Sequence, residues 1–200
     1  MLQAFLTGLA VQGSLILAIG PQNVFVLRQG LTRDHVLPVV LFCAASDAAL
    51  IFAGVAGFGA VVDAAPWMPR AMALAGAAFL AVYGAQRAFA AWRGHHPLVC
   101  GASGGTLQGA IGTAAALTWL NPHVYLDTLA LMGAIGAGLG GDAWAFALGG
   151  TLASGAFFAA LGYGAQVLAP VMRSSSAWRI LDAVTAAVMW AVAAGLLVAT

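Results

Sequence analysis

Residues 117–133 read LTWLNPHVYLDTLALMG, and within seven positions they set Asn121, Pro122, His123, Tyr125 and Asp127 among leucines. Proline lacks a backbone N–H and its ring clashes with the preceding turn, so a helix through this stretch is expected to break or tilt at Asn121-Pro122. In a bilayer the freed backbone groups must be buried in protein or line water. Asp127 poses the same problem, because an ionised aspartate at the centre of a membrane helix costs about 2.5–3.5 kcal/mol. The meaning of the segment therefore depends on what surrounds it.

What surrounds it is a membrane protein. The 200 residues are 62% apolar and 6% charged, with a mean hydropathy of +0.97, against about 25% charged in soluble domains. The charges are seven Arg and six Asp, with no Lys and no Glu. So few charges cannot cover a soluble surface of this size. A net charge of +1 without a basic stripe argues against a nucleic-acid partner. Cys43 lies in an apolar run and Cys100 in a polar connector, with neither metal nor redox spacing, so no metal and no cofactor are expected. The first 20 residues have no basic n-region and no A-x-A site, and the first helix is expected to be retained.

Charges and prolines divide the chain into apolar stretches at 2–27, 36–62, 71–92, 106–141, 143–169 and 178–199. A crossing needs about 20 apolar residues, so the expected fold is all-α with six transmembrane helices. The fourth stretch would run about 50 Å as one straight helix, which favours a single broken crossing. The first stretch has a matching interruption, GPQN at 20–23. Setting 5–28 on 106–129 without a gap superposes Leu6 on Leu107, Gly8 on Gly109 and Pro21 on Pro122. AASD at 44–47 then matches LASG at 152–155, and Arg70 matches Arg179. These matches suggest a three-plus-three inverted repeat: 1–93, a polar connector 94–105, and 106–200, with the first and fourth helices broken at proline. Interrupted helices in corresponding positions point to a transporter with its site near the membrane midplane. Arg28, Arg33, Arg87, Arg93, Arg173 and Arg179 fall on one side against Arg70 on the other, which puts both termini outside the cell.

Six aspartates divide by position. Asp34, Asp63, Asp142 and Asp182 lie near stretch ends and read as solvated, whereas Asp47 and Asp127 lie deep in apolar runs. Asp47 and Asp127 fit a cavity, a partner or a proton path; for Asp47, pairing to an arginine or hydrogen bonding to a broken helix is the alternative. Gly20, Pro21 and Pro122 mark the breaks. Beside them Gln22, Asn23, Asn121 and Tyr125 can grip an amino acid's ammonium and carboxylate, or else cap a kink locally. Helix termini at the breaks add their dipoles. His123 is either a proton carrier or a satisfied imidazole. Trp67, Trp92, Trp144 and Trp178 read as interfacial anchors, and the Gly- and Ala-rich runs as close helix packing.

GPQN with VLRQG, CAASD, LTWLNPHVYLDT and FALGGTLASG together resemble the LysE-type lysine/arginine exporter family, most closely its arginine-exporter branch. The resemblance covers nearly the whole chain. It implies outward transport of basic L-amino acids across a bacterial inner membrane, driven by an ion gradient. It also implies a substrate and proton site at Gln22, Asn23, Asp47, Asn121, His123, Tyr125 and Asp127. The connector departs from relatives that carry longer charged loops there.

The residues themselves agree with a basic amino-acid substrate, since two intramembrane carboxylates suit a side-chain cation and can exchange it for a proton. Exporters of neutral amino acids or other small solutes, a channel and an importer remain alternatives on the same scaffold. A protease is a poor fit: GASG at 101–104 imitates an intramembrane serine motif, but Ser103 lies in the connector. The expected partners are the substrate, a coupling proton or other ion, and lipid. Glycine-rich outer faces also permit a homodimer.

Overall fold

The computed structural model describes residues 1–17, 20–57, 68–93, 105–121, 124–168, 170 and 174–198. Among them the chain is helical throughout. In order these are α1 (Leu2–Ile16), α2 (Pro21–Thr32), α3 (Val36–Val55), α4 (Met68–Arg93), α5 (Leu107–Trp119), a π-helix (Tyr125–Leu131), α6 (Met132–Ala137), α7 (Ala143–Gly164) and α8 (Ser175–Val198). Short 3-10 turns at Gly140–Asp142 and Ala165–Leu168 flank α7. The all-α class is as expected.

Among the described residues, α3, α4, α7 and α8 carry segments long and apolar enough to cross a membrane. The pair α1 and α2, bent by 83°, makes a fifth if it counts as one span. The protein is therefore a multi-pass membrane protein. Large apolar side chains such as Leu41, Leu148, Leu152, Val184 and Leu197 point outward, as a lipid-facing surface requires.

Local chemistry sets the helix ends that matter for the site. Gly20 is extended (φ −108°, ψ 171°) and Pro21 takes the first helical position of α2, where its missing N–H is no loss. Arg33 closes α2 in the left-handed region at φ 58°. α5 starts on Thr106, whose side chain accepts from the Gly109 N–H at 3.1 Å. It stops at Trp119, just short of the expected break; Pro122 and His123 lie outside the described residues. From Tyr125 the chain continues as a π-helix, a widened turn frequent at functional sites.

Two close approaches hold the bundle tight. A methyl group on Gly8 of α1 would run into the Phe146 carbonyl of α7, and one on Gly149 of α7 into the Phe5 carbonyl of α1. A methyl group on Gly54 of α3 would likewise run into the Leu129 carbonyl of the π-helix, and one on Gly133 of α6 into the Gly54 carbonyl. The close-packing reading of the small residues holds at both places. Phe25, Val39, Cys43, Leu80, Leu117, Phe158 and Met189 then bring α2, α3, α4, α5, α7 and α8 to one apolar core.

Three contacts tie element ends together. The Met1 amino group meets Asp142 at 2.5 Å, joining the starts of α1 and α7. His35 Nε2 lies 3.1 Å from the Gly105 carbonyl, joining the starts of α3 and α5. Gly136 of α6 packs on Val55 at the end of α3.

One aspartate is not where sequence position suggested. Asp182, expected to be solvated near a stretch end, is fully buried. It is paired with Arg28 of α2 and lies 3.6 Å from Arg87 of α4. Arg28 also lies over the Trp178 ring (5.6 Å to its centre) and Arg87 over Tyr83 (5.3 Å). Trp178 is consequently buried in this cluster and is not an interfacial anchor. Trp92 and Trp144 are exposed as expected, and Trp67 and Asp63 lie outside the described residues. The physical reason is pairing: a helix position one or two turns from a span's end is desolvated when neighbouring helices bring arginines to it.

Candidate functional site

Where α1 ends and α2 begins, the chain opens a cavity of ≈ 290 Å³ against α3, α5, the π-helix, α7 and α8. That is near the lower end of the usual range for small-molecule pockets, about 300–1,000 Å³. Gly20, Pro21, Gln22, Asn23, Asp47, Asn121 and Asp127 all line it, so seven positions singled out in the sequence meet in one place. Leu15, Ile16, Val124, Phe158 and Val192 supply the apolar wall.

The two carboxylates differ. Asp47 is 4% exposed, in the middle of α3, and accepts a hydrogen bond from the Ser154 hydroxyl of α7 at 2.6 Å. Among the described residues Asp47 makes no ion pair with an arginine, and its hydrogen-bond partner is the Ser154 hydroxyl. Asp127 sits in the π-helix and is exposed to the cavity side of the chain. No arginine is among the described lining residues. With both carboxylates ionised the cavity has a charge deficit that a cation would fill.

The amide and phenol groups divide their work. Asn23 Nδ2 donates to the carbonyl of Ile16, the last residue of α1, at 2.9 Å. Tyr125 Oη donates to the carbonyl of Trp119, the last residue of α5, at 2.9 Å. Each caps the helix that precedes its own, and Tyr125 is not among the lining residues. Trp119 is held in turn by its indole N–H, which reaches Ser46 Oγ at 3.3 Å. Gln22 is buried on the cavity wall, and its Nε2 finds no nitrogen or oxygen acceptor among the described residues.

Sequence reading missed Gln12, Thr128 and Ser154. Gln12 and Thr128 are lining residues. Ser154 lies in the LASG segment that aligns with AASD, and that alignment was the signal: the two matched segments touch through the Ser154–Asp47 bond. Among the described residues no three His, Cys or Asp side chains gather as a metal site would require.

Comparison with known proteins places this arrangement. The LysE type translocator family matches residues 13–200. A protein of Mycobacterium tuberculosis strain H37Rv, described as a candidate amino-acid transporter, is 44% identical over 185 residues, 92% of each chain. The arginine exporter protein ArgO of Yersinia enterocolitica is 41% identical over 198 residues, covering 96% of this chain and 95% of its own. ArgO of Klebsiella pneumoniae strain 342 is 40% identical over 199 residues, 96% and 92% of the two chains. No solved structure matches the chain.

Proposed function

The chain belongs to the LysE-type translocator family, and from that premise we propose that it exports basic L-amino acids, arginine above all, across the bacterial cytoplasmic membrane in exchange for entering protons. The observation that carries the reading is the cavity itself: Asp47 and Asp127 with amide side chains and no described arginine on its wall. Relatives named as arginine exporters, 40–41% identical over most of their length, support the substrate and the direction.

Arginine or lysine brings a side-chain cation that neutralises these carboxylates. When the cation leaves, a proton can take its place, since an uncompensated carboxylate in a low-dielectric site favours its neutral form. Competition between cation and proton for one pair of carboxylates is a sufficient basis for antiport. Gln22 and Asn121, with the N-terminus of α2 at Gly20-Pro21, suit the α-carboxylate end of the substrate. In this reading Asn23 and Tyr125 hold the helix breaks in shape, and His123 is a further proton carrier.

Six crossings arranged as two inverted repeats, 1–93 and 106–200 joined by 94–105, suit this mechanism. The contacts between element ends support it. α3 and α5 start on one side, where α2 and α4 end and α8 begins around Asp182. α1 and α7 start on the other. Breaks at Gly20-Pro21 and Asn121-Pro122 then fall at the cavity, and both termini lie on the same face. The arginine bias puts that face outside, although Arg28 and Arg87 are engaged with Asp182 and add less to that bias than free loop charges would.

Counterflow in proteoliposomes tests the proposal. Vesicles loaded with unlabelled arginine should take up labelled arginine, with lysine competing and leucine not. Asp47→Asn and Asp127→Asn should each lose the exchange. Equal competition by leucine would transfer the reading to neutral amino acids on the same fold.

A further inference from the structure

Among the described residues on the cavity wall, Gln12 and Thr128 are buried polar groups to which the reading above gives no task, and of the two only Gln12 has a buried polar atom left unsatisfied. It projects from α1 in an apolar run, is 3% exposed, and its Oε1 has no hydrogen-bond partner among the described residues. A buried amide oxygen without a donor is destabilising. Its position on the cavity accounts for its retention, because the missing donor can arrive with the ligand.

The internal repeat sharpens the point. In the register that sets Pro21 on Pro122, residue 12 corresponds to Thr113. Thr113 turns its hydroxyl to the Gly109 carbonyl of its own helix at 2.8 Å and is not among the lining residues. The acceptor at Gln12 therefore belongs to one half only, and is not part of the scaffold that the two halves share.

We propose that Gln12 is a specificity residue: its Oε1 accepts an N–H from the guanidinium of the substrate, as a third acceptor beside Asp47 and Asp127. A guanidinium spreads five N–H donors around a rigid plane, so acceptors arriving from more than one direction are needed to satisfy them. A lysine ammonium is compact, with three donors that rotate toward whatever acceptors are near. Gln12 thus favours arginine over lysine. The inference rests on the basic amino-acid reading of the cavity and refines it.

The test compares the full chain in proteoliposomes with Gln12→Met and Gln12→Glu, measuring half-saturation of counterflow for labelled arginine and for labelled lysine. Methionine matches the length and removes the acceptor; glutamate keeps one. Gln12→Met should raise the arginine value about tenfold and the lysine value less than about threefold. Gln12→Glu should keep arginine within about threefold of wild type, which also shows that position 12 tolerates substitution. An arginine value within about twofold of wild type in Gln12→Met overturns the inference, as does an equal loss of both substrates in both variants. In those cases wild-type exchange still stands. If the wild type exchanges neither arginine nor lysine, the substrate reading falls and this inference with it.

Discussion

Asp47 and Asp182 are both aspartates of membrane helices, both nearly or wholly buried, and they are held in opposite ways. Asp182 is clasped by Arg28 and approached by Arg87, so its charge is matched by the protein. Asp47 is held by one serine hydroxyl and opens on the cavity. On the proposed reading its charge is left for the substrate cation. Buried carboxylates in a membrane protein are therefore not a single class: a paired one joins helices, and a hydroxyl-held one beside a cavity is available to a ligand. Arg28 and Arg87 bring α2 and α4 to α8.

The contrast can be broken by experiment, and the sharpest attempt is at Asp47. Asp47→Asn keeps the volume and can still accept from Ser154, so unfolding in detergent should change little while arginine counterflow falls to background. A variant that exchanges normally would place Asp47 with Asp182 as a structural group. Asp182→Asn should do the reverse. Removing one member of a buried ion cluster leaves uncompensated charge and is expected to destabilise the protein by about 3–5 kcal/mol, read from denaturant unfolding in micelles. A stable but inactive Asp182→Asn protein would bring the cluster into the transport path instead.

Smaller effects refine the picture. Ser154→Ala removes the hydroxyl that holds Asp47, a bond to a charged group worth about 1.5–3 kcal/mol; arginine exchange should weaken about tenfold or more with lysine affected alike. Unchanged exchange would mean that Asp47 needs no such support. Tyr125→Phe leaves the Trp119 carbonyl without its donor and should cost about 1 kcal/mol of stability, with half-saturation for arginine within about threefold. A larger loss of exchange than of stability would return Tyr125 to the substrate.

Much of this was legible in the sequence, and for identifiable reasons. Pro21 and Pro122 announce interruptions because a missing N–H is a local covalent fact. Gln22, Asn23, Asn121 and Asp127 lie within a few residues of them in sequence, and all four line the cavity. Asp47 stood out because an ionised group deep in an apolar run needs an explanation. Gln12 and Ser154 escaped notice: a lone glutamine in LAVQGSLI and a serine in LASG look like ordinary members of a membrane helix. Of the two roles open to Tyr125, the contact the structure gives it is the cap on the Trp119 carbonyl, six residues back in the chain.

Composition and hydropathy by themselves determined that the chain lives in a membrane, that it is helical, and roughly where its helices are interrupted. These follow from local demands, since every backbone N–H and C=O in lipid must be satisfied and few charges can be carried. Only the tertiary structure decided which aspartate is paired and which is free to serve the cavity. Ser154 lies 107 residues from Asp47, and Arg28 lies 154 residues from Asp182. The energy of a buried charge is set by the groups within a few ångströms of it, and folding alone brings them there.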